Sequence, residues 1–126
     1  MILDCLKKNN SNTLDLDKNR KRAIRDALQT FFRPFFQNGQ PREKLLTQEV
    51  EIYFRRHAGR DLPFKKLVEL LLNRKILLVR STTDRGDIAR INDKHLPEIN
   101  RFHQSGLLSP VLNSVITDVA LEENAV

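Results

Sequence analysis

Lys65, Lys66, Glu69 and Asn73 recur at helical spacing on the polar side of one amphipathic stretch. Their side-chain types suit contact with a polyanion. An ammonium group neutralises phosphate, an asparagine amide pairs bidentately with adenine, and a glutamate accepts from a cytosine amine. The competing reading is an ordinary solvated helix face, and Glu69 speaks for it because a central carboxylate repels phosphate. Arg80, Arg85 and Arg90 follow closely. Arg85 stands beside Gly86 at an expected hairpin tip, where a side chain reaches phosphate or a minor groove. Asp84 and Asp87 flank it and offset part of the charge. The densest basic cluster is Lys18-Asn19-Arg20-Lys21-Arg22, and Lys18, Arg22, Arg25, Gln29 and Arg33 form a row along one helix face. Cations crowded at a helix N-terminus oppose its dipole, so this local cost favours a role in holding phosphate.

Other chemistry is not signalled. His95 and His103 share a helix but lie eight residues apart, which separates them by roughly 12 Å of helical rise. Neither Cys5 nor His57 supplies paired ligand spacing, so no metal is expected. No glycine-rich phosphate loop and no nucleophile elbow occur. No cofactor and no enzymatic activity are therefore expected.

The elements that carry these residues are organised around the stretch 46–92. Thr47 is placed as an N-cap, and Val50, Tyr53, Phe54 and His57 give the stripe of a helix with one buried face. Ala58-Gly59 stops it, Arg60-Asp61-Leu62 turns, and Pro63 opens a second helix that buries Phe64, Leu67, Val68 and Leu71. The period then falls toward two. The run 75–80 reads as a strand, 81–86 as a turn and 87–91 as a second strand.

Helix, turn, helix and hairpin in that order resemble a winged helix-turn-helix. The resemblance rests on Leu46-Thr47, on Leu67…Leu71-Leu72-Asn73-Arg74-Lys75-Ile76-Leu77 and on the hairpin tip from Thr82 to Gly86, and it covers about 47 of the 126 residues, 46–92. It is a superfamily-level pattern. It implies that the second helix of the motif enters a major groove and that the hairpin serves as a wing. The expected fold is mainly α with a two-stranded β-hairpin, a winged helix-turn-helix with an extended first helix and added C-terminal helices.

Before this unit, a helix is expected from Asp15 or Asp17, burying Leu16, Ala23, Ile24, Ala27, Leu28, Phe31 and Phe35, and ending or kinking near Phe32 because Pro34 removes a backbone donor. Phe35 to Gly39 suggests a further short turn, and 40–44 a connector with one helical turn begun by Pro41. After it comes a helix from Asn92 to His103, capped by Asn92 or Asp93 and ended by Ser105-Gly106. Ser109-Pro110 starts another, with Leu112, Val115, Ile116 and Val119 on one clean apolar stripe. That stripe either packs back on the first helix or pairs with a second copy. A two-fold DNA site favours the second, so these four residues are expected at a homodimer interface. The organisation read from the sequence is a flexible N-terminal arm over 1–14, a winged-helix domain over 15–104, and a C-terminal helix with an acidic tail over 105–126.

The charge distribution agrees with a polyanionic partner. The formal net charge is +6, but residues 18–101 hold 20 Lys and Arg against 10 Asp and Glu, and both ends are mildly acidic. Such a field attracts nucleic acid. One cysteine cannot form an internal disulfide, which points to a reducing cytoplasm. No leader is expected in the first residues, and no apolar run approaches a bilayer span, so no membrane partner is expected. The expectation is double-stranded DNA binding by a small transcriptional regulator. Its contacts are Lys65, Lys66, Asn73, Arg85 and the face of Lys18, Arg22 and Arg25. The rivals are a winged-helix adaptor that binds a protein partner and an RNA-binding module, the latter with few aromatics free to stack.

Overall fold

A computed structural model of the chain describes residues 18–58, 64–84 and 86–124. The expected N-terminal arm, the start of the first helix, the turn at 59–63 and Arg85 lie outside the described residues. The chain runs through helix α1 (residues 18–32), a 3-10 turn Arg33–Phe35, strands β1 (Phe36–Gln37), β2 (Gln40–Pro41) and β3 (Leu45–Leu46), helices α2 (Thr47–His57) and α3 (Phe64–Asn73), strands β4 (Leu77–Thr82) and β5 (Gly86–Ile91), a second 3-10 turn Asp93–His95, and helices α4 (Leu96–Ser105) and α5 (Pro110–Asn124). It is mainly helical, with one two-stranded and one three-stranded antiparallel sheet.

Pro34 ends α1 as expected, because it cannot supply the N–H that a continuing helix requires. The chain tightens into the 3-10 turn at Arg33. The next residues are a hairpin, not a helical turn. Asn38 and Gly39 both take positive φ, 55° and 78°, as a two-residue turn between twisted strands demands. Asn-Gly is a strong hairpin signal that identifies this turn from sequence. The connector expected to begin a helical turn at Pro41 instead forms β2 and β3. Leu45 and Leu46 pair with Ala89 and Ile88, so the hairpin β4–β5 becomes a sheet of order β3-β5-β4.

Helix α2 begins at Thr47, with Leu46 and not Thr47 in the cap position. The Glu49 carboxylate accepts from the Leu46 N–H (3.3 Å), so closure comes from the third helical residue. Val50 and Phe54 are buried and Tyr53 half-buried, whereas His57 is exposed and drops out of the expected stripe. At the end of α3 the chain reverses through Lys75 at φ 58°, a left-handed residue where glycine would be easier. Asn92 ties this corner down: its amide donates to the Lys75 carbonyl (2.8 Å), and its side-chain oxygen accepts from Lys94 N–H. The helix expected from Asn92 thus starts as a 3-10 turn and becomes α-helical at Leu96. Gly106 closes it at φ 75°.

The core is entirely apolar among the described residues. Phe31 is at its centre, 5.5 Å from the rings of Phe32 and Phe35, 5.8 Å from Phe64 and 6.3 Å from Phe54, while Phe32 meets Phe102 of α4 edge-on at 6.4 Å. Offset and edge-on ring pairs add roughly 0.5–1.5 kcal/mol each beyond the area they bury. The expectation that α5 forms a dimer seam is corrected here. Leu112, Val115, Ile116 and Val119 are all buried within the single chain, and α5 packs along α3. Leu70, one turn before Arg74, is buried as well, so α3 buries one more leucine than its pattern predicts. Arg74 pairs with Asp118 and donates to Ser114, fixing the two helices in register. Ser109 caps α5 by accepting from Leu112 N–H (3.2 Å).

The imidazole of His103 stacks on Phe36 at 4.6 Å with 6° between the planes, and its Nδ1 is buried with no partner among the described residues. Burial, and then the neighbouring Arg33 charge, lower its pKa from the ordinary 6.5. The folded chain therefore binds the proton more weakly than the unfolded chain. The stability that His103 contributes is full above about 6.5 and declines as pH falls below it. We expect the melting temperature of the wild type to fall more steeply between about pH 7 and pH 5 than that of His103→Gln. Parallel curves for the two proteins would show that His103 is not the group responsible.

Candidate nucleic-acid interface

Helix α3 buries Leu67, Leu70 and Leu71 against the core and α5. At about 100° per residue, Lys65, Glu69, Leu72 and Asn73 fall on the opposite arc, and all four are exposed. Lys66 and Val68 flank that arc half-buried. The Lys66 ammonium lies 3.7 Å from Glu69. The carboxylate that counts against anion binding is thus partly offset by its own neighbour. Leu72 adds an apolar side chain to this exposed arc. It is 38% exposed at the edge of this polar arc beside Val68, where a branched apolar tip suits a thymine methyl. The signal for it was its position in the wheel, one step off the buried leucines.

The hairpin stands beside this arc. Val68 of α3 and Val79 of β4 line one small apolar cavity of about 90 Å³, together with Phe64, Val50, Leu77 and Ala89. The flank of α3 next to its outward arc therefore abuts β4. At the tip, Thr82 Oγ1 donates to the Gly86 carbonyl and Ser81 Oγ donates to Asp87 (2.9 Å). Gly86 takes φ 88°, a conformation that disfavours any side chain. Asp87 is thereby held against the strand. Arg85, proposed from sequence as the tip contact, is outside the described residues.

Arg80 and Arg90 project from the outer face of the sheet. The register pairs Arg80 with Ile88 and Leu78 with Arg90, which makes the two arginines diagonal neighbours on one face. Lys44 and Glu43 border the same shallow depression, about 450 Å³ in volume, floored by Leu78 and Ile88. No ion pair links Arg80, Arg90 or Lys44 to a carboxylate among the described residues.

The basic row of α1 lies apart from the α3 arc. Phe31 of α1 meets Phe64 of α3, whereas Gln29 donates to the Phe102 and His103 carbonyls at the end of α4 (3.4 and 3.3 Å). Two residues along a helix turn it by about 200°, so these contacts mark roughly opposite sides of α1. Lys18, Arg22 and Arg25 are in line with Gln29 and are exposed. They belong to the α4 side, away from α3. The single surface expected from sequence, with Lys18, Arg22 and Arg25 beside Lys65, Lys66 and Asn73, is two separate surfaces. No group of three or more His, Cys, Asp or Glu able to hold a metal occurs among the described residues, and none of their helices is long and apolar enough to cross a membrane. No family model, curated protein or solved structure matches the chain.

Proposed function

We propose that this chain is a winged helix-turn-helix protein that binds double-stranded DNA, in the manner of a small transcriptional regulator. Helix α3 lies in the major groove and the β4–β5 hairpin acts as the wing. The observation that carries this reading is the outward arc of α3: Lys65, Leu72 and Asn73 are exposed there although α5 covers an adjacent side of the helix. The element order of helix, strand, helix, helix and hairpin supports it, as does the sheet order β3-β5-β4. In this arrangement Lys65 and Lys66 neutralise phosphates, Asn73 reads a base edge and Leu72 meets a methyl group. The row Lys18, Arg22 and Arg25 faces away from the duplex.

Substitutions separate the two surfaces. Lys65→Ala is expected to weaken binding to all duplexes and to lower the salt slope by about 1. Asn73→Ala is expected to cost about 1–3 kcal/mol on a preferred site selected from a random pool, and to leave random duplex nearly unchanged. Arg22→Ala with Arg25→Ala is expected to change affinity by less than about threefold at physiological salt, because charges beyond a Debye length are screened. Fluorescence anisotropy with labelled duplexes reads all three. A larger loss from the α1 pair than from Lys65→Ala would move the interface to the other side of the molecule.

A further inference from the structure

Strand β4 is an edge of the three-stranded sheet, and its outer edge is equipped for a further strand. The hydrogen bond from Asn92 N–H to the Ile76 carbonyl (2.8 Å) continues the β4–β5 register by one pair. Antiparallel ladders alternate, so the main-chain groups of Leu78 and Arg80 face β5 and those of Val79 and Ser81 face outward. No hydrogen bond to these outward main-chain groups occurs among the described residues. An edge of six residues normally carries devices against pairing, such as proline, a bulge or an inward charge. Here β4 has neither proline nor bulge, its register is regular, and its arginine points to the outer face.

The side chains along this edge define what would pair with it. Val79 is 39% exposed and lies over the apolar cavity shared with Val68 and Phe64. Glu51 also borders that cavity, but its carboxylate is paired with Arg55 at 2.8 Å. On the other face Arg80 stands out beside Arg90, with Lys44 further across the sheet. A strand added to β4 would point one residue at Val79 and its two neighbours at the Arg80 face, since side chains alternate. From this we infer that β4 is a docking edge for an extended peptide of alternating acidic and apolar residues, captured by strand addition. Main-chain bonds supply affinity and the alternation supplies specificity. A second copy of this chain fits less well, because β4 would bring another arginine-bearing face alongside. Nucleic acid fits the charge but leaves the outward main-chain groups and Val79 unused.

The test uses the full chain and a fluorescein-labelled, end-capped heptapeptide of alternating glutamate and valine, followed by anisotropy. Saturable binding below about 1 mM is expected. Val79→Pro removes one outward N–H and is tolerated at an edge position, so amide dispersion should remain while binding weakens by at least about tenfold. Arg80→Glu, on an exposed site, should weaken the glutamate peptide and favour its lysine–valine counterpart. In the wild type, the Val79 and Ser81 amides should exchange more slowly once the peptide is bound. Absence of saturable binding overturns the inference. So does binding that is lost in Arg80→Glu but indifferent to Val79→Pro in a folded protein, or that a short DNA duplex reproduces with the same pattern; either identifies a general polyanion face. Wild-type self-association abolished by Val79→Pro also overturns it, and identifies a second copy as the occupant.

Discussion

Ile116→Asp is expected to unfold the chain rather than to split a dimer. Ile116 is only 3% exposed, and Leu112, Val115 and Val119 beside it are fully buried. The substitution removes an apolar side chain worth about 1.5–3 kcal/mol of burial. It also places a carboxylate in a core whose described residues are all apolar, which costs several kcal/mol more unless the group takes up a proton. Domains of this size are stable by about 5–15 kcal/mol, so the combined loss removes most or all of the folded population. Circular dichroism and amide dispersion should both collapse, while Leu121→Asp, on an exposed site of the same helix, should change stability by less than about 0.5 kcal/mol. Sedimentation of the wild type should give a monomer at micromolar concentration. A folded Ile116→Asp monomer obtained from a wild-type dimer would contradict the internal packing of α5.

The same packing bears on α3. Helix α5 packs along α3 and is tied to it by the Arg74–Asp118 pair, so the helix proposed to enter the groove is held from behind by the C-terminal helix. The C-terminal helix is thus a support for the proposed reading helix, and the separation at residue 105 expected from the sequence cuts across one core.

The most legible parts of the fold were those with long, unbroken periods. Leu67 and Leu71 announced the buried side of α3, and the shift to a two-residue period after Lys75 announced β4 and β5, because helix and sheet geometry impose those periods directly. Strand β3 was not legible, since two residues carry no period; it exists because Leu45 and Leu46 find Ala89 and Ile88. The Asn38-Gly39 turn was legible in principle, through the positive φ that both residues tolerate. The partner of α5 was not, because an apolar stripe has the same pattern whether its cover is another part of the chain or a second copy. The candidate site divides in the same way. The outward arc of Lys65, Glu69 and Asn73 follows from the wheel of α3 alone. Which side of α1 faces α3 depends on Phe31 meeting Phe64 and Gln29 meeting α4. Those are tertiary contacts that a row of cations does not encode. Arg80 and Arg90 were visible as charges, but their common face appears only once the register is known.

The salt dependence of binding to random duplex DNA tests the central proposal most directly. The cations on the proposed surface are Lys65 and Lys66, the latter 3.7 Å from Glu69, with Arg85 at the expected tip. If roughly two or three of them neutralise phosphates, the slope of log affinity against log salt is about −2 to −3, and affinity falls by roughly 10- to 40-fold between 50 and 200 mM salt. The expected result is a slope in that range, reduced by about 1 in Lys65→Ala. No measurable binding at 50 mM salt, or a slope near zero, would contradict it.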